Sequence, residues 1–188
     1  MIVNVEVEHP TLGSLAWQGL KRWETHAVLG LLSDEDPLVR TLAGRELQLR
    51  GGEDVFRRVL AHCQAPDEAL REVCAFVLGQ LGTPERPFAG ESFPVLVRLL
   101  DDEDVEVRAT SAAALGHLVV GEMPDVVLHR LLEAAEDEQA GVRSAVAVSL
   151  GGAPNLEAVS DALAKLCTDP VVDVRESAEL SIELLRSR

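Results

Sequence analysis

Leu99-Leu-Asp-Asp-Glu-Asp-Val-Glu-Val-Arg108 repeats without a gap an earlier stretch, Leu31-Leu-Ser-Asp-Glu-Asp-Pro-Leu-Val-Arg40, and seven of the ten positions are identical. Three more segments end the same way: Asp67-Glu-Ala-Leu70-Arg71, Gln139-Ala-Gly-Val142-Arg143 and Asp169-Pro-Val-Val-Asp-Val174-Arg175. The five arginines fall 31, 37, 35 and 32 residues apart. Self-similarity at this period marks a stacked repeat architecture, in which each unit touches only its neighbours. Such an array offers a long surface in place of an enclosed reaction chamber.

Counting outward from each arginine gives the helix that follows. Position −1 holds Val39, Leu70, Val107, Val142 and Val174, and position +3 holds Ala43, Cys74, Ser111, Val146 and Ala178. Position +7 holds Leu47, Leu78, Leu115, Leu150 and Ile182; position +10 holds Arg50, Leu81, Leu118, Ala153 and Leu185. Spacings of 4, 4 and 3 trace one stripe of an α-helix. Ahead of each such helix lies another aliphatic stretch, as in Val55–Leu60, Val95–Leu100 and Val127–Leu132. Each repeat therefore reads as helix A, a short acidic turn, then helix B. Asp36, Asp67, Asp104 and Asp169 are expected to cap the B helices, with Pro37 and Pro170 at their first positions. The expected helices are 19–33, 37–50, 53–64, 67–81, 92–101, 104–120, 124–136, 139–151, 155–167 and 170–186. Residues 1–18 stand apart as an N-terminal cap or, on the other reading, an oligomer contact, with alternation over Ile2–Glu8 that suits a short strand. Residues 19–188 form the solenoid.

Composition bounds the function. Apolar residues make up 47%, charged residues 26% and aromatics 3%, so the core is aliphatic and the chain folds. A net charge of −15 with only two lysines, Lys21 and Lys165, argues against nucleic acid and anionic membrane, which draw affinity from basic side chains. The favoured partner is another protein with a basic or amphipathic segment. Three unpaired cysteines and the lack of a secretory signal suggest a cytoplasmic address. The five histidines show neither the i, i+4 spacing of a helical metal site nor H-E-x-x-H, so neither catalytic nor metal residues are assigned and no cofactor is expected.

The paired helices, the Asp-x-x-Val-Arg signature and the Leu78-Gly79, Leu115-Gly116 and Leu150-Gly151 pairs resemble HEAT repeats, most closely the compact bacterial class first named for phycobilisome lyases. The resemblance covers residues 19–188. It implies an all-α fold, a right-handed α-α superhelix of about five helix pairs, acting as a non-catalytic scaffold or adaptor. It also implies a ladder between repeats, built here from Asp36, Asp104, Arg40, Arg71, Arg108, Arg143 and Arg175, with departures at Gln139 and in the turn after Asp169. The arginine row has a second reading, a basic stripe for an anionic ligand; the acids beside each arginine favour the ladder. An auxiliary lyase-like factor that attaches or carries a chromophore or cofactor is the alternative function.

Two surfaces are candidates for binding. Asp34, Glu35, Asp67, Glu68, Asp102, Glu103, Asp137, Glu138 and Asp173 are expected to line one edge as an acidic ridge. On helix B, row +5 reads Arg45, Phe76, Ala113, Val148 and Leu180, flanked at +1 by Glu72 and Glu176. B helices line the concave wall of HEAT-like stacks, so this row is either an apolar groove for a peptide or packing between adjacent B helices.

Overall fold

The computed structural model describes residues 12–119, 121–154 and 156–187. Eleven α-helices occupy them, with no strand among the described residues. The helices are α1 (Leu12–Leu20), α2 (Thr25–Gly30), α3 (Pro37–Arg50), α4 (Glu53–His62), α5 (Glu68–Gln80), α6 (Ala89–Leu99), α7 (Val105–Leu118), α8 (Asp125–Ala134), α9 (Ala140–Leu150), α10 (Glu157–Leu166) and α11 (Val172–Arg186). A 3-10 turn, Leu31–Ser33, extends α2. Five A–B pairs result: α2–α3, α4–α5, α6–α7, α8–α9 and α10–α11. They stack as the right-handed α-α superhelix expected, with the closest packing between successive B helices.

The stripe read from the arginines is the core. Ala43, Cys74, Ser111, Val146 and Ala178 at +3 are fully buried, as are Leu47, Leu115 and Leu150 at +7. Burying each leucine contributes about 1.5–3 kcal/mol, and every repeat supplies several from both helices.

What sets the spacing between B helices is a glycine at +8 against position +6 of the next repeat. A methyl group at Gly79 would lie 2.6 Å from Ala114 Cβ and 2.7 Å from Ala114 Cα; at Gly116 it would lie 2.5 Å from Ser149 Oγ; at Gly151, 2.8 Å from Ser181 Oγ. The Leu-Gly pairs are therefore contact points between helices. Gly79 and Gly116 lie inside α5 and α7 and do not end them.

The structure departs from the expected helix map in three places. The segment 19–33 is split: α1 closes at Leu20, and α2 opens after an extended Glu24. Helix α1 runs across residue 18, where the sequence divided cap from solenoid, and the strand suggested for Ile2–Glu8 lies outside the described residues. Helix α6 starts at Ala89 and carries Pro94 inside. The loop that precedes it is held by Phe88, whose ring stacks on buried Phe56 with centroids 4.4 Å apart, so Phe88 faces the core. In the last repeat α11 starts at Val172, and Pro170 precedes it by two residues.

Helix α1 packs on α3 on the side where a preceding B helix would lie. Position +6 of α3 is Glu46, only 5% exposed. Its carboxylate accepts from Trp17 Nε1 at 2.9 Å and from Arg50 Nε at 2.9 Å. Arg50 in turn donates to the Leu20 carbonyl at 2.7 Å and to Thr25 Oγ1 at 3.2 Å. The charged entry in the apolar stripe is thus the fastening of α1.

Candidate functional site

Three arginines bridge consecutive repeats. Arg71 Nε and Nη2 donate to the two carboxylate oxygens of Asp102 at 2.8 and 2.7 Å. Arg108 grips Asp137 at 2.9 and 3.2 Å, and Arg143 grips Asp169 at 2.7 and 2.9 Å. In each the third nitrogen, Nη1, donates to two carbonyls of its own A–B turn: Ala65 and Pro66, Asp102 and Glu103, Asp137 and Glu138. These forks are bidentate, charge-assisted and mostly removed from water. Hydrogen bonds to the acids raise the three guanidinium pKa values above the ordinary arginine range, against burial. Burial alone would raise the Asp102 carboxyl, but Arg71, the Asp104 amide and the Arg108 charge outweigh it and hold it low. Arg143 likewise holds Asp169 below the usual carboxylate range.

The acids of these rungs differ from those expected. Asp36 and Asp104 do not meet an arginine. Asp36 caps α3 through the Leu38 amide at 2.8 Å, and Asp104 caps α7 through the Glu106 and Val107 amides. The acids that pair stand six residues before the next arginine: Asp102, Asp137 and Asp169. Each also accepts the backbone amide two residues on, which fixes its carboxylate toward the fork. On this register the last turn is not longer than the others, and Gln139 interrupts nothing. Asp169 does not cap α11, because its carboxylate is spent on Val171 N and Arg143.

At the two remaining arginines the rung is open. Arg40 Nη1 donates to the Asp34 and Glu35 carbonyls at 2.8 and 3.1 Å, and Arg175 Nη1 to the Asp169 and Pro170 carbonyls at 2.7 and 3.1 Å. Neither meets a carboxylate among the described residues. Opposite Arg40, the position held by aspartate in the other turns is Ala65. The acidic ridge shrinks accordingly: Asp102 and Asp137 face inward to arginine, while Glu35, Asp67, Glu68, Glu103, Glu138 and Asp173 remain exposed.

Row +5 lies on the surface of the B helices. Arg45 is exposed, Phe76 and Ala113 are half-buried, and Val148 and Leu180 are 56% and 66% exposed. Phe76 packs partly against the core. Glu72 at +1 is half-buried and Glu176 exposed. Two hollows mark this wall. One of about 230 Å³ is lined by Pro37, Arg40, Thr41, Glu72, Val73, Phe76 and Thr110. The other, about 190 Å³, is lined by Ala113, Gly116, His117, Val148, Ser149, Gly152 and Leu184. Burial, with Glu106 and Asp104 nearby, raises the Glu72 carboxyl above its ordinary range, while Arg40 opposes the rise.

Two of the thiols, Cys74 and Cys167, are disfavoured as thiolates. Contact with the Cys63 thiol, together with burial, pushes Cys74 up, and burial pushes Cys167 up. Among the described residues no three His, Cys, Asp or Glu side chains gather to hold a metal ion. No described helix is long and apolar enough to cross a membrane.

A family model described as HEAT repeats matches residues 59–129 and 94–183. Protein YibA of Escherichia coli is 29% identical over 168 residues, which take in 87% of this chain. The chain spans 59% of that relative's length. The X-ray structure of YibA superposes with a TM-score of 0.80 at 25% identity, covering 96% of this chain and 65% of that one. The complex of CpcE and CpcF of phycocyanin lyase from Nostoc sp. PCC7120 gives 0.69 at 22% identity, over 84% and 97%. A designed armadillo repeat protein in complex with the peptide (KR)4 gives 0.61 at 16% identity, over 90% and 85%. The last two likenesses concern the fold alone.

Proposed function

The chain belongs to the HEAT-repeat family, and on that premise we propose that it is a non-catalytic scaffold that holds a basic or amphipathic segment of another protein along its B-helix wall. The observation that carries this is the exposure of Val148 and Leu180 on a wall whose stability comes from elsewhere. The aliphatic core, the glycine contacts and the arginine rungs hold the repeats together, so Val148 and Leu180 on the B-helix wall are free of structural duty. Exposed apolar side chains on such a face gain by being covered. Arg45, Phe76, Ala113, Val148, Leu180, Glu72 and Glu176 are its proposed contacts. The acids at its edge and the net charge of −15 favour a cationic segment. Two fold relatives support the reading in kind: one is the complex of CpcE and CpcF, the other a designed armadillo repeat protein in complex with the peptide (KR)4.

Val148→Asp and Leu180→Asp test it, because both side chains are exposed and neither change opens a core cavity. Binding of a Lys-Arg repeat peptide, followed by calorimetry, is expected to weaken in the wild type as salt rises. The double variant is expected to lose the partner retained from a lysate of the native host while keeping its melting temperature. A variant that retains the same partner, or a peptide affinity that ignores salt, overturns the proposal. Phe76 is a poorer probe, since its partial burial mixes binding with stability.

The lyase-like alternative rests on the fold likeness to the CpcE–CpcF complex. The raised Cys74 and Cys167 thiols disfavour attachment through cysteine. An absorption band in the visible for protein purified from its host would favour that reading instead.

A further inference from the structure

We propose that Arg40 is a vacant rung that takes the carboxylate of an aspartate or glutamate side chain in a bound peptide. The inference rests on the wall being a peptide site and adds the chemistry of one of its pockets. The template is internal to the chain. At Arg71, Arg108 and Arg143, two carbonyls of the turn hold Nη1, and the Nε–Nη2 edge grips both oxygens of one carboxylate at 2.7–3.2 Å. Arg40 has the same two carbonyl contacts, at 2.8 and 3.1 Å, so its guanidinium is held in the same way. Ala65 stands where the acid should be, and its methyl group offers no acceptor. Arg40 also lines a hollow of about 230 Å³ with Glu72 and Phe76.

The other lining groups define the ligand further. A bare anion is opposed by Glu72 in the same hollow and by the charge of the whole chain. An acidic residue flanked by basic ones satisfies both charges: its carboxylate pairs with Arg40 and a neighbouring ammonium lies toward Glu72. Thr41 and Thr110 supply hydroxyls, and Phe76 and Val73 an apolar floor for the stem. The ligand class is a zwitterionic peptide segment. Arg175 is also open, but it stands in the last helix pair and does not line either hollow of the wall.

The probe is acetyl-Lys-Asp-Lys-amide, whose only carboxylate is the side chain, titrated against labelled protein by NMR. The Arg40 Nε–Hε resonance is expected to move, and acetyl-Lys-Asn-Lys-amide to bind about tenfold more weakly or worse, as loss of a bidentate charge-assisted pair requires. Arg40→Gln is expected to abolish the difference between the two probes. Ala65→Asp should close the rung from within, raising the melting temperature and removing the same preference. Acetyl-Lys-Gly-Lys with a free C-terminus is expected to bind no better than the asparagine probe. Equal binding of the aspartate and asparagine probes to wild type overturns the proposal, as does a preference that survives Arg40→Gln. Tighter binding of the free C-terminus overturns the side-chain source. If these arms fail while Val148→Asp and Leu180→Asp still release the larger partner, the wall stands and only the rung falls. If the larger partner is indifferent to the wall as well, both readings fall.

Discussion

Gly79→Ala puts one methyl group into the seam between α5 and α7. Glycine inside a helix normally costs about 0.5–1 kcal/mol relative to alanine, so in open surroundings the change would stabilise. Here the new Cβ meets Ala114 Cβ at 2.6 Å and Ala114 Cα at 2.7 Å. Ordinary carbon contacts sit near 3.5–4.0 Å, so the shortfall is about 1 Å. A flexible side-chain tip could swing away from that clash, but a helix backbone cannot. The two helices must separate, and the rung between Arg71 and Asp102 must stretch with them. Overpacking of this kind costs about 1–3 kcal/mol, and subtracting the propensity gain leaves a net loss of about 1–2 kcal/mol. For a chain of this size that lowers the melting temperature by roughly 2–8 °C. Gly141→Ala is the matched control: it lies in the first turn of α9 with nothing within 4 Å of the added methyl. It should be neutral or stabilising by up to about 1 kcal/mol. Thermal and urea unfolding of the two variants beside wild type make the comparison. If Gly79→Ala melts at or above wild type, the close seam is not what holds α5 to α7, and the account of the Leu-Gly pairs is wrong.

Two further outcomes are expected. Asp169→Asn leaves Arg143 without its carboxylate and should cost about 2–3 kcal/mol at neutral pH, at the lower edge of what breaking buried pairs costs. Because the folded Asp169 carboxyl is held low, its contribution is present above the unfolded carboxylate pKa, near 3.9, and is lost as pH falls through the folded value. The gap in melting temperature between wild type and Asp169→Asn should therefore narrow in acid; a gap independent of pH contradicts the rung, and comparing the two proteins cancels the general relief of charge repulsion. Trp17→Leu removes the indole donor from Glu46 and should loosen α1 from α3 by about 1–3 kcal/mol. Amide exchange should quicken in α3 while α9 keeps its protection, and uniform quickening would refute a local fastening.

The helical stripe was legible because a 3.6-residue period survives five copies and leaves few alternatives. Val107, Leu115 and Leu118, or Val142, Val146 and Leu150, are buried as that period requires. Helix α1 was not legible. Leu12-Gly-Ser-Leu-Ala-Trp-Gln-Gly-Leu20 has two glycines in nine residues, which weaken the helical signal, and it packs on α3. The ladder was half legible. Its arginines follow from the spacing, but Asp101-Asp-Glu-Asp104 offers several acids, and sequence alone does not say which carboxylate faces across the gap. A signal was available. Six residues before the arginine, aspartate stands in four of five repeats, as Asp34, Asp102, Asp137 and Asp169; four residues before it, in only three. The row with fewer exceptions is the one that pairs. The same count exposes Ala65 as the anomaly.

The positions of these devices also bear on where the larger of the wall's two hollows lies. Three junctions, between α5 and α7, α7 and α9, and α9 and α11, each carry both a glycine contact and an arginine rung. The junction between α3 and α5 carries neither a glycine at +8 nor a closed rung. Position +8 of its first helix is Gln48 in place of glycine, and its rung ends at Ala65. It relies on Gly44, whose added methyl would lie 3.0 Å from Val73 and 3.3 Å from Val77, and it packs less extensively than the other three. In an array stabilised by nearest neighbours, one loose junction is tolerable if the outer repeat is secured from its other side. Trp17, Glu46 and Arg50 do that through α1. The first repeat is therefore held by its cap as much as by its neighbour, and the junction left slack is where Arg40 and Phe76 line an open hollow. A junction sealed like the others would have its guanidinium occupied by an aspartate of its own chain, and the fork would be closed to a ligand.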